Sequence, residues 1–152
     1  AIDLLNQGSA NRLPILVRIY AGDLDNDLGV IVKSGADGVI LVSDKIPIEA
    51  ALVSSRNYKD QMIILAEVNK LDSQKSAKLL ALGAAGIFLQ DKCNGNQLKE
   101  FGTELSETIG SLGVGKATDL SVEHLRTTSH KVASMTGISI AGYNSVLPMW
   151  RH

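Results

Sequence analysis

Four short, almost uninterrupted apolar runs recur along the chain: Ile15-Leu16-Val17-Arg18-Ile19-Tyr20, Gly38-Val39-Ile40-Leu41-Val42, Met62-Ile63-Ile64-Leu65-Ala66 and Gly86-Ile87-Phe88-Leu89. None alternates polar and apolar residues as a strand with one wet face does, so they read as parallel strands covered on both sides. Helix-period segments lie between them. Leu24, Leu28, Ile31 and Val32 share one helical face, with Asp23 or Asp25 as N-cap and Gly35 as the stop. Ile48, Ala51 and Leu52 mark a second helix, with Pro47 suited to its first turn. Ser73 or Asp72 caps a third, carrying Ala77, Leu80 and Ala81 and closed by Gly83. Asn96 caps a fourth, in which Leu98, Phe101, Leu105, Ile109 and Leu112 recur at spacings of three and four. The order β-α-β-α-β-α-β-α predicts an α/β fold: four βα units of parallel sheet joined by right-handed crossovers.

An internal echo supports this. Gly35-Ala36-Asp37-Gly38-Val39-Ile40-Leu41 resembles Gly83-Ala84-Ala85-Gly86-Ile87-Phe88-Leu89, 48 residues further on. In each copy a glycine ends a helix, a tight turn follows and a buried strand begins. The offset equals two βα units of about 24 residues, somewhat shorter than the ~30 of an average eight-fold barrel. After residue 113 the pattern changes. Gly113-Val114-Gly115-Lys116 reads as a flexible link, Ser121 caps a short helix through Arg126, and Thr128 or Ser129 caps another ending at Gly137. The expected division is therefore a half-barrel α/β domain over 1–113 and a short helical C-terminal extension over 114–152. Ile138, Ile140, Tyr143, Val146, Leu147, Met149 and Trp150 make the tail too apolar for a solvated terminus, so it is expected to lie over the domain. Ile2-Asp3-Leu4-Leu5 reads as the end of a helix, so an upstream part is expected as well.

Composition excludes several functions. Fifteen basic against sixteen acidic side chains leave a formal charge of −1, unlike a domain that binds nucleic acid by neutralising phosphates. No run nears the roughly 18 apolar residues of a membrane span, and no signal peptide opens the chain. The single Cys93 cannot form an internal disulfide, which points to a reducing, cytoplasmic compartment.

Pro14 to Phe88 resembles the second half of the flavin-binding barrel of the archaeal-type glutamate synthases. The residues that carry the resemblance are Val17-Arg18-Ile19-Tyr20-Ala21-Gly22, Ser34-Gly35-Ala36-Asp37, Ile46-Pro47 and Ala81-Leu82-Gly83-Ala84. Leu125-Arg126-Thr127-Thr128-Ser129, Val132-Ala133, Thr136-Gly137-Ile138 and Ala141-Gly142 resemble the helical extension that follows that barrel. The resemblance implies a (β/α)8 barrel carrying FMN and an iron-sulfur cluster and making glutamate from 2-oxoglutarate. This chain departs from the family where that chemistry occurs. Ser43-Asp44-Lys45-Ile46 replaces a glycine-rich loop after the second strand, Glu67-Val68-Asn69-Lys70 replaces a glycine pair after the third, and Leu89-Gln90-Asp91-Lys92 replaces a Gly-Thr/Ser loop after the fourth. A phosphate loop needs bare backbone so that N–H groups can converge on the anion. The cluster needs three or four thiolates, and Cys93 is the chain's one cysteine. Arg18 stands where the family carries a lysine in the barrel mouth. The expectation is a degenerate barrel relative with no cofactor of its own, acting as an assembly or regulatory module. The alternative is an FMN-dependent oxidoreductase subunit or small-metabolite binder completed by a partner chain.

The candidate site is the charged set Arg18, Asp44, Glu67 and Asp91 at the carboxyl ends of the strands, where α/β folds place their ligands. A structural ion pair is the reading we favour there, since buried charge is tolerated mainly when paired. Three further features carry less. Gly110 to Ala117 nearly spells a phosphate-binding loop, but Ala117 stands in place of the magnesium hydroxyl and a helix precedes it. Cys93 has no histidine near it in sequence, and His124 and His130 lie six apart, on different helical faces. Four strands cannot close a barrel of eight. The sheet must then flatten into a flavodoxin-like sandwich, pair with a second copy, or accept a chain that supplies the other half barrel; a homodimer is expected.

Overall fold

A computed structural model describes residues 13–142 of the chain. The expected helix end at Ile2–Leu5 and the tail beyond Gly142 lie outside the described residues. Strands β1 (Leu16–Tyr20), β2 (Gly38–Val42), β3 (Ile63–Val68) and β4 (Gly86–Leu89) alternate with helices α1 (Leu24–Lys33), α2 (Ile48–Ser54), α3 (Ser73–Ala81) and α4 (Gly95–Ser111). All four strands are parallel, and their order in the sheet is β1-β2-β3-β4. The α/β class with a four-stranded parallel sheet is therefore as the sequence predicts.

That order contains no reversal, unlike a doubly wound sheet, which changes direction at a switch point. Successive right-handed crossovers without a reversal place every helix on the same face. The core is built accordingly. Val17, Ile19, Val39, Leu41, Ile64, Ala66, Val68, Ile87 and Leu89 point one way and pack with Leu24, Leu28, Ile31, Ile48, Ala51, Leu52, Leu79 and Leu82 of the helices. Residues of the opposite parity form a face that no helix among the described residues covers. Leu16 is 41% exposed, Tyr20 57%, Ile63 49% and Phe88 39%. The expectation that the runs are covered on both sides is thus wrong for this face. Of the four strands only β2 is buried along its whole length; β3, also central, is exposed at Ile63.

The glycine turns of the internal echo occur as expected. Gly35 and Gly83 both adopt positive φ, +76° and +111°, which an L side chain resists, and each turns its helix back towards the sheet. Asp37 adds a local tie in the first copy, its carboxylate accepting a 2.8 Å hydrogen bond from the Ile15 backbone N–H.

Several local expectations are corrected. Asn94, not Asn96, caps α4: its side chain accepts from the Gln97 N–H while Gln97 bonds back to the Asn94 N–H. Pro47 precedes α2 as its N-cap and is not part of the first turn. Of the apolar stripe on α4 only Ile109 is buried; it meets Ala77 and Ala81 of α3, while Leu98 near the other end stays exposed. The supposed flexible link is packed, with Val114 buried against Ile109, Leu120 and the α3 alanines. The segment after Ser121 is a single 3-10 turn, Val122–His124, and Arg126 lies in a short strand β5 (Arg126–Thr127). That strand pairs in parallel with β6 (Ser139–Ile140) across helix α5 (His130–Thr136), which Ser129 caps and Gly137 ends as expected. Ile138, Val122 and Leu125 join the main core, and an Arg56 guanidinium N–H donates to the Thr136 carbonyl at 3.0 Å, so the extension is packed onto the βα units.

Candidate functional site

The carboxyl ends of β1 to β4 all lie on one edge of the sheet, and the loops that leave them would form the mouth of a barrel. Arg18 lies in β1 and Glu67 in β3, both on the open face. Glu67 belongs to the strand itself and not to the loop after it, which begins at Asn69. The two meet across β2 in a bidentate pair, with Arg18 Nε 2.6 Å from Glu67 Oε2 and Nη2 2.7 Å from Oε1. Fork-on-carboxylate geometry is the strongest form of this contact. The Glu67 side chain is only 4% exposed, whereas that of Arg18 is 40% exposed. The guanidinium also lies 5.3 Å from the Tyr20 ring centroid. Hydrogen bonding to Glu67 first, and to Tyr20 second, raises the Arg18 pKa above its already high ordinary value, so the group is a permanent cation.

The other two members of the predicted set do not join this pair. Asp44 stands two residues beyond β2 and Asp91 two beyond β4; both are exposed, and neither is a partner of Arg18 or Glu67. The residue that sequence reasoning missed is Tyr20, which shares a strand face with Arg18 two residues away. Period-two spacing was the signal that could have found it.

Beside the pair, a cleft of about 450 Å³ opens between the ends of β2 and β3, lined among others by Val42, Ser43, Glu67, Asn69, Lys70 and Lys75. An anionic ligand placed here would look to helix N-termini for its hydrogen bonds. Two of those termini are already occupied. The Asp72 carboxylate accepts from the Lys75 N–H at the start of α3, and Asn94 does the same for Gln97 in α4. The starts of α1 and α2 have no side-chain cap, but their first turns carry Asp25, Asp27 and Glu49. The macrodipole that would favour a phosphate is therefore met by a capping side chain at α3 and α4 and faced by first-turn carboxylates at α1 and α2. The loops Ser43–Pro47 and Asn69–Asp72 contain no glycine, so their backbones cannot approach a ligand as a phosphate loop does.

Further from the mouth, Glu49 of α2 and Lys78 of α3 form a 2.9 Å ion pair that ties neighbouring helices together. Burial pushes the Glu49 carboxyl up, but the hydrogen bond to Lys78, a backbone hydrogen bond and the charges of Lys78 and Lys75 outweigh it, and the net shift is downward. His124 Nδ1 is engaged by the backbone N–H of Ser121 at 3.1 Å, which closes the 3-10 turn. Cys93 is exposed in the loop between β4 and α4. No helix among the described residues is long and apolar enough to cross a membrane. No family model matches the chain, and neither the curated proteins nor the solved structures contain a match to it.

Proposed function

We propose that the chain is a non-catalytic relative of the glutamate synthase flavin barrel, acting in the cytoplasm as an assembly or regulatory module. The observation that carries this reading is the chemistry of the carboxyl edge. Helix starts there are capped by Asp72 and Asn94 or carry Asp25, Asp27 and Glu49 in their first turns, and the loops after β2, β3 and β4 lack the glycines an anion needs. A dianionic phosphate would meet carboxylates where it requires bare N–H groups. The assembly half of the proposal rests on the uncovered face, where Leu16, Tyr20, Ile63 and Phe88 lie exposed together on one sheet. We read Arg18 and Glu67 as the structural pair that keeps this face folded, with Asp44 and Asp91 as solvated rim charges.

Titration of the purified protein with FMN, followed by quenching of flavin fluorescence, tests the reading. No saturable quenching is expected up to tens of micromolar; stoichiometric uptake would defeat it. The cleft beside Glu67 with Lys70 and Lys75 on its wall favours a second reading, a small-metabolite or flavin subunit completed by a partner chain. That reading requires the same titration to saturate once the partner is added.

A further inference from the structure

Arg18 and Glu67 do not stand opposite one another in the hydrogen-bonded register. Arg18 pairs with Ile40, and Ile40 pairs with Leu65, so the residue level with Arg18 along the register on β3 is Leu65. The contact is made two residues further on, at Glu67. An eight-stranded parallel barrel with a shear of eight staggers by one residue per strand, and its interior is layered by side chains from alternate strands at equal height. A two-residue offset over two strand steps is that stagger. Arg18 and Glu67 thus have the relative height that two of the four members of one barrel layer would have. Ile40 and Phe88 are related in the same way on β2 and β4, since Leu65 pairs with Gly86 and Phe88 lies two residues beyond.

We infer that the open face binds a second copy of this chain, closing an eight-stranded barrel in which Arg18 and Glu67 of both copies form a four-membered ring of alternating charge. This rests on the reading of the chain as an assembly module. A two-fold axis along the strands keeps all eight parallel and places β4 of each copy beside β1 of the other, so both open edges are paired at once. In the odd-strand layer the order around the ring is Arg18, Glu67, then the second copy's Arg18 and Glu67. Each cation is flanked by two carboxylates and each carboxylate by two cations. The face is thereby complementary to itself, which is the argument for an identical copy. Ile40 and Phe88 from each copy supply an adjoining apolar layer, and the exposed rings of Tyr20 and Phe88 lose their contact with water.

Light scattering on the eluting protein at micromolar concentration is expected to give twice the chain mass of 16.2 kDa. Arg18→Glu makes the ring all acidic and Glu67→Arg makes it all basic, so each variant alone should dimerise at least tenfold more weakly. Mixing the two should restore a dimer, because each carboxylate then faces an arginine across the interface. A second measurement does not depend on those charges. Gly22 follows β1, where an added Cβ would meet nothing closer than the Tyr20 carbonyl oxygen at 4.0 Å, and Cys93 follows β4. Within one chain these edges are three strand spacings apart, roughly 14 Å along the sheet, well beyond disulfide reach. Between copies they are neighbours, so Gly22→Cys should yield a covalent dimer on mild oxidation. A monomer, an aggregate of undefined mass, or a Gly22→Cys variant that stays uncrosslinked overturns the inference. Equal dimerisation of the wild type and both charge variants, or a mixture that stays monomeric, does the same. A monomer that takes up no FMN sinks the second copy but leaves the non-catalytic reading standing; a dimer that takes up FMN does the reverse.

Discussion

Gly38 opens β2 at the end of the sheet opposite the mouth, and the absence of its side chain is a structural requirement. A Cβ built there would lie 2.5 Å from the Ile63 carbonyl oxygen, 2.8 Å from Leu16 Cδ2 and 2.9 Å from Ile63 Cβ. Two of these three atoms belong to, or sit next to, the backbone of the paired strand β3, so relief requires β2 and β3 to part at their first register pair. Overpacking of this kind costs about 1–3 kcal/mol. Replacing glycine by alanine recovers about 0.5–1 kcal/mol through the unfolded chain, which leaves Gly38→Ala destabilised by up to about 2.5 kcal/mol, with a central value of about 1 kcal/mol. For a chain of this size each kcal/mol lowers the melting temperature by roughly 2–4 °C. Gly86→Ala is the matched control: it also opens a strand, but its nearest neighbour is Leu65 Cδ2 at 3.2 Å, the tip of a side chain that can rotate. It should fall within about 0.5 kcal/mol of the parent, or above it. Thermal and urea unfolding followed by circular dichroism give both values. A Gly38→Ala protein as stable as Gly86→Ala would refute the close approach of Leu16 and Ile63 to Gly38.

Other expectations follow from single contacts. Leu41→Ala empties a fully buried site in the centre of the main core and should cost about 2–5 kcal/mol, measured as a lower urea midpoint with an unchanged slope. Asn94→Ala removes the capping box of α4 and should cost about 1 kcal/mol, with hydrogen exchange accelerating first in the opening turn of that helix. The Glu49 carboxyl has a folded pKa below 4.5, so its pair with Lys78 contributes stability fully above pH 4.5 and loses it as the pH falls through the folded value. Lys78→Met should therefore lower stability at pH 7 by about 0.2–1 kcal/mol and make little difference near pH 2. Equal destabilisation at both pH values would mean that the lysine acts through packing and not through charge.

Much of the fold is legible from local pattern. The ends of β2 and β4 coincide with the apolar runs, and the glycines predicted to stop α1 and α3 carry the positive φ that the turns need. Asn94 was missed because two asparagines flank Gly95 and either can start a helix; the reciprocal bond to Gln97 selects the first. Val114 was read as linker because glycines surround it, while its burial depends on Ala77 and Ala81, more than thirty residues away. Of the predicted charged set, Arg18 and Glu67 converge and Asp44 and Asp91 do not. Strand residues inherit their height from the sheet, whereas loop residues point wherever solvation is cheapest.

The sequence alone determined that the chain alternates strands with helices, that its strands are parallel, and that the loops after the second, third and fourth strands lack bare backbone for a phosphate. These follow from hydrophobic period, capping residues and glycine positions, all of which act over a few neighbouring residues. Tertiary structure decided that the strands lie in the order β1-β2-β3-β4, that the helices share one face and leave the other open, and that Arg18 meets Glu67 49 positions away. Strand order and stagger are set by which distant segments pair and by how far the sheet twists between them, and no local periodicity carries that information.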